Sequence, residues 1–220
     1  MCKNSLSCQS NYLFAAMLHM QKITRTQRAI FWIKSRLLIV KRCIENNVIH
    51  KNPRLFPCEP PQTPRHTLAE IHTLLYTDTK DTEQEFQLGK IHNLRIASPY
   101  FHHIIIPSGA TFSFWQQLGR PSKRKGFVIG RELRQGCIIP TIAGGICQLS
   151  NSLYQAAKHA NCNIIERHAH SQHIEGSSAA LGEDATVFWN YIDLRFRPQH
   201  TLFLSVFLTS TELVVKLEAC

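Results

Sequence analysis

The chain has 220 residues, of which 44% are hydrophobic and 18% charged, with a formal net charge of +10 at pH 7. That composition excludes a disordered, highly charged chain and suffices for one buried core with an appended segment. No run reaches the roughly 20 apolar residues of a membrane-spanning helix, because the longest candidates are cut by Lys34 and Arg36 or stop after Tyr12–Leu18.

Residues 1–18 carry one early lysine and a short apolar run with no clear small-residue cleavage site, and read as a cytoplasmic start. Ten of the 25 Lys and Arg fall within residues 1–60, against only Glu45 and Glu59, so the basicity belongs mostly to an N-terminal arm. Within it, residues 28–42 (RAIFWIKSRLLIVKR) mix apolar clusters with Arg28, Lys34, Arg36, Lys41 and Arg42, the pattern of a basic amphipathic helix. Two readings follow: peripheral contact with an anionic membrane surface, or packing on the main domain through Ile30, Ile33, Leu37 and Val40. Nucleic acid is not expected as a partner, since no reader motif accompanies the charge.

Residues 51–66 hold five prolines between Pro53 and Pro64 and read as a linker, which divides the chain into an arm and linker (1–64) and a main domain (65–220). After it, TLAEIHTLLY (67–76) reads as helix-like or a short amphipathic turn. An irregular helix, a short apolar run, a turn at Pro107-Ser108-Gly109 and a strand at Thr111–Trp115 follow. Residues 119–140 read as a basic, glycine-marked loop with one strand near Phe127–Gly130. A helix begins after Gly145 and runs to about His159, with Ile146, Leu149, Leu153, Ala156 and Ala157 on its core face. The last third is strand-rich, over residues 163–171, 185–197, 201–209 and 212–219. The expected fold is α+β, a mainly antiparallel sheet packed on a central helix, with a basic helical N-terminal arm.

Eight scattered cysteines without a C-x-x-C pair suit a reducing compartment better than a disulfide framework. Cys147 stands apart. In the first turn of its helix a thiolate meets unpaired N–H groups and the positive end of the dipole, where thiol pKa values of about 3.5–7.5 occur. Gly144 and Gly145 permit close backbone approach, and the Cys147 amide is placed as an oxyanion donor. In the following strand Glu166, His168 and His170 share one face, which makes His168 or His170 the candidate base, with Asp184 or Asp193 as the acid that orients it. Gln148, Ser150 and Asn151 make the helix start unusually polar and are candidate substrate contacts. The alternatives are a buried packing cysteine, or a Cys/His metal site, although the spacing matches no standard zinc finger; no cofactor is expected. The order of helix-start Cys, strand His and next-strand Asp is similar to that of transglutaminase-like and papain-like thiol enzymes. Arg120–Lys125 (RPSKRK) reads as a solvated loop or a contact for an anionic polymer or carboxylate-bearing ligand.

Four ordered segments, GATFSFWQQLG, AGGICQLSNSLYQAA, IIERHAHS and GEDATVFWNYIDLRFR, together resemble the VanW family over roughly residues 65 to 200. The resemblance implies a bacterial protein tied to cell-envelope or glycopeptide-resistance loci. Many members carry three glycines before the Ile/Val-Cys-Gln, whereas Ala143 stands at the first here, which disfavours a left-handed backbone at that position. Two functions remain open: a thiol enzyme performing acyl transfer or amide hydrolysis on a peptidoglycan-related peptide, or a non-catalytic accessory that binds a cell-wall precursor or protein partner. The chain is expected to be cytoplasmic or membrane-associated.

Overall fold

The computed structural model describes residues 25–44, 54–59, 65–76, 84–134, 137–169, 184–189 and 192–220. The chain divides into two compact units, Met1–Arg42 and Cys43–Cys220. Helix α1 (Arg25–Ile44) is the described part of the arm; Ile30, Ile33, Leu37, Leu38, Val40 and Ile44 are exposed along it, and Lys41 and Arg42 lie in its last turn. No described helix is long and apolar enough to cross a membrane.

The larger unit is α+β, with antiparallel pairing throughout its described sheets. Its main sheet joins β1 (His66–Leu74), β9 (Glu212–Ala219), β8 (Leu202–Leu208) and β2 (Ile104–Ile106), in that order. The two C-terminal strands form as their apolar runs require: Leu202, Leu204, Val206, Leu213, Val215 and Leu217 are all buried. Against this sheet pack α2 (Gln84–Ala97) and the central helix α4 (Ile146–His159). Helix α4 follows Gly145, whose φ of +97° is open to glycine at little cost, and buries Ile146, Leu149, Leu153, Ala156 and Ala157.

Two smaller sheets complete the body. One orders β3 (Phe112–Ser113), β7 (Arg195–Arg197) and β6 (Asn163–Glu166); the other pairs β4 (Ile129–Arg134) with β5 (Cys137–Ile142). The short helix α3 (Phe114–Leu118) continues directly from β3 and is N-capped by Ser113, whose hydroxyl accepts from the Gln116 amide.

Three local expectations are corrected. Residues 66–74 form a strand, not a helix: the inward positions Ala69, Ile71 and Thr73 alternate, and Leu75 behind them is fully buried. Phe114 and Trp115 begin a helix rather than end a strand, because Ser113 and Asp193 capture the first free amides there. Residues 129–142 hold a six-residue antiparallel pairing, from Ile129 opposite Ile142 to Arg134 opposite Cys137, where one short strand in a loop was expected. Part of the proline-rich stretch is also tied to the body, since Pro57 bridges Ile104 and the Cys58 amide donates to the His103 carbonyl at 2.8 Å.

Candidate functional site

The turn Ala143–Gly145 enters α4 through a crossing of three backbones. A methyl group on Gly144 would collide with the carbonyl of Gly130 in β4, and one on Gly130 would sit 2.5 Å from the carbonyl of Gly144. Asn93 of α2, fully buried, locks the crossing: its Nδ2 donates to the carbonyls of Val128 (3.1 Å) and Gly144 (3.0 Å), and its Oδ1 accepts from the Val128 amide (2.9 Å). Gly144 and Gly145 are therefore occupied by protein: Gly144 by β4, and Gly145 by the stem of Lys90. Ala143 adopts φ +63°, the left-handed conformation that its side chain disfavours.

Cys147 lies in the first turn of α4, as its position after the glycines required. Its sulfur is 3.6 Å from the Thr186 hydroxyl and 3.8 Å from the Val187 carbonyl oxygen. Burial is the largest influence on this thiol and pushes it up; the contacts with Val187 and Thr186 offset part of that, and the carboxylates of Glu132 and Asp184 push it up again. The direction is opposite to the depressed value expected from the helix terminus. Desolvation and two nearby carboxylates favour the neutral thiol here, against the pull of the helix terminus on a thiolate.

Among the described residues, neither His168 nor the carboxylates of Asp184 and Asp193 hydrogen-bond to the thiol. Among the described residues, the hydrogen-bond contacts of the Cys147 sulfur are Thr186 and Val187. His168 does share a face with Glu166, as the strand alternation implied, and its Nε2 lies 3.7 Å from Glu166 Oε1. His170 lies outside the described residues. Asp193 is buried and orients no imidazole among the described residues: it accepts from the Ser113 hydroxyl (2.6 Å), the Trp115 amide (3.1 Å) and Arg195 Nε (2.9 Å), which holds the start of α3. Burial pushes its carboxyl up, against the pull of Ser113, Arg195 and Trp115. Asp184 is buried in the segment that lies against Cys147, and its backbone carbonyl accepts from Arg167 (3.0 Å).

The polar side chains expected to meet substrate make hydrogen bonds within the fold. Gln148 Nε2 donates to Thr73 Oγ1 (3.0 Å) and the Leu74 carbonyl (2.9 Å), which ties α4 to β1. Ser150 donates to the Ala185 carbonyl (2.6 Å), and Asn151 Oδ1 accepts from the Ala185 amide (2.6 Å), so this pair fastens residues 184–189 to the helix.

Comparison with known proteins bears on the same region. Residues 89–218, which begin in α2 and end in β9, match a family model described as VanW like protein. The chain belongs to the VanW-like family. The matched span contains the Asn93 clamp, the Gly130–Gly144 crossing and Cys147 alike. This VanW-like chain is 30% identical to the vancomycin B-type resistance protein VanW of Enterococcus faecalis, over 60% of its own length and 49% of that protein. It is 32% identical to an uncharacterized Bacillus subtilis protein, YoaR, over 51% of its own length and 36% of that protein. It thus spans half or less of these curated relatives. No solved structure matches significantly.

Two features of the VanW-like domain escaped the sequence reading. Lys90 is a buried lysine beside Gly145, its ammonium pushed down to about 8 by burial and by the Arg131 guanidinium. A groove of about 610 Å³ opens at the far end of α4, lined by Ser108, Asn161, Asn163, Arg197 and Gln199 among others. Arg197 is exposed there, with Nε and Nη2 at 3.3 and 3.0 Å from Thr111 Oγ1. The only hint in the sequence was Asn161, a residue tolerant of the left-handed conformation just past the helix; its φ is +51°. Among the described residues, no three His, Cys, Asp or Glu side chains are grouped to hold a metal ion.

Proposed function

We propose that this VanW-like domain is a non-catalytic accessory of the bacterial cell envelope, connected with glycopeptide resistance, that binds a peptidoglycan-related peptide. The observation that carries this reading is the setting of Cys147. A thiol held up by burial and contacting Thr186 and Val187 is a poor nucleophile, and the polar residues around it are already used by the fold. The groove supports binding in place of chemistry. A guanidinium beside carboxamides and backbone suits the carboxylate and amides of a short peptide, which Arg can engage with paired donors. The name of the Enterococcus relative supports the resistance context. The exposed apolar and basic residues of α1 support a peripheral membrane contact through residues 28–42.

The test is titration of the full chain with a peptidoglycan-derived peptide carrying a free carboxylate and with the same peptide amidated. The free acid should bind more tightly, and Arg197→Gln should weaken it by about tenfold or more. Equal binding of acid and amide would remove the groove from the reading. Turnover of the peptide that Cys147→Ser abolishes would replace the accessory by a thiol enzyme.

A further inference from the structure

A second surface of the body gathers positive charge around Tyr100. The buried Gln117 builds it: its Oε1 accepts from the Leu55 amide (3.0 Å), and its Nε2 donates to the carbonyls of Leu55 (2.8 Å) and Tyr100. This clamp fixes the extended stretch 54–59 beside Tyr100. Leu55 packs against the core, while Arg54 and Phe56, its neighbours on either side, are exposed.

The Arg54 guanidinium lies 5.0 Å from the centre of the Tyr100 ring, and Lys125 Nζ lies 5.6 Å from the same centre. Lys125 is held there by the Leu118 carbonyl at 2.9 Å. Burial and the charge of Arg54 both lower the proton affinity of Lys125, and among the described residues no carboxylate pairs with either cation. Arg120, Lys123 and Arg124 add three more exposed cations within six residues of chain. Phe56 is 74% exposed.

Like charges held together on an open surface without counter-charge are unfavourable alone and are relieved by an anion. An exposed phenyl group beside them has no use for a free anion, but it does for a phospholipid interface, where cations meet phosphates and a ring enters the headgroup boundary. We propose that this face, with Arg54, Phe56, Tyr100, Lys123, Arg124 and Lys125, docks on an anionic phospholipid bilayer. It rests on the membrane-side role proposed above but uses a surface separate in sequence from residues 28–42.

Sedimentation of the full chain with vesicles tests it, comparing phosphatidylcholine alone with phosphatidylcholine mixed with phosphatidylglycerol. Binding should require the anionic lipid. Lys123→Gln with Arg124→Gln should weaken it about 25-fold, about fivefold for each charge removed. Phe56→Ser should weaken it by about tenfold while leaving the circular dichroism unchanged. The matched pair Arg36→Gln with Lys41→Gln reports separately on α1. If that pair abolishes binding while the body variants bind as the parent does, the membrane role stands and this surface is refuted. If inorganic phosphate displaces the chain more strongly than chloride at the same ionic strength, or Phe56→Ser has no effect, the surface takes free anions and the proposal fails.

Discussion

The carboxamide of Asn93 donates to the carbonyl of Gly144 at 3.0 Å, so the glycine turn before Cys147 faces a buried side chain of α2. The same carboxamide satisfies both backbone groups of Val128. Asn93→Ala leaves the Gly144 carbonyl and the Val128 amide without this partner, while the Val128 carbonyl keeps the Ala143 amide at 3.0 Å, and should cost about 2 kcal/mol, read from the midpoint of urea unfolding. A loss within experimental error would mean that water or relaxation replaces the clamp.

Ala143 carries a methyl group on a backbone at φ +63°. Relief of the left-handed strain, about 1–2 kcal/mol, opposes the lost burial of one methyl and the greater freedom of glycine when unfolded. Ala143→Gly should therefore leave the melting temperature unchanged or raise it, unlike an ordinary buried Ala→Gly change. A clear drop in melting temperature would show that the turn carries no such strain.

Lys90 has a folded value of about 8 against 10.5 for the ordinary lysine, so between these two pH values the unfolded chain binds more protons than the folded one. Stability from this group therefore rises with pH from about 8 to about 10.5, by on the order of 3 kcal/mol. Lys90→Met keeps the apolar stem against Gly145 and should be more stable at pH 7 by roughly 2 kcal/mol. The difference between parent and variant should shrink as the pH is raised to 10. A constant difference would place the ammonium in water.

Cys147 should be alkylated more slowly at pH 7 than the exposed Cys220, and still more slowly at pH 6, as judged by mass spectrometry of the labelled native chain. His168→Ala should leave that rate unchanged, because its ring pairs with Glu166. Fast labelling at pH 6 that His168→Ala erases would restore the thiol mechanism and remove the accessory reading.

Parts of the fold are legible in the sequence. The helix over 146–159 follows from a 3.6-residue apolar period that begins where the glycines end, and β8 and β9 follow from apolar runs bounded by turn residues. Residues 66–74 misled because Leu68, Ile71 and Leu75 fall at helical spacing. Half of the inward face is the small Ala69 and the polar Thr73, so the alternation carries little hydrophobic signal.

The sequence by itself determined the fold class, the central helix and the place of Cys147 in its first turn, because these depend on local periodicity and on which backbone angles glycine permits. Only the tertiary structure decided what the polar residues of that motif face. Gln148, Ser150 and Asn151 have the same hydrogen-bonding groups whether a ligand or a neighbouring backbone satisfies them. It was β1 and residues 184–189, brought from 74 and 35 residues away, that took those bonds. The thiol followed the same rule: the helix terminus is a local property, but the desolvation and the carboxylates of Glu132 and Asp184 that oppose it arrive only when the chain closes around the sulfur.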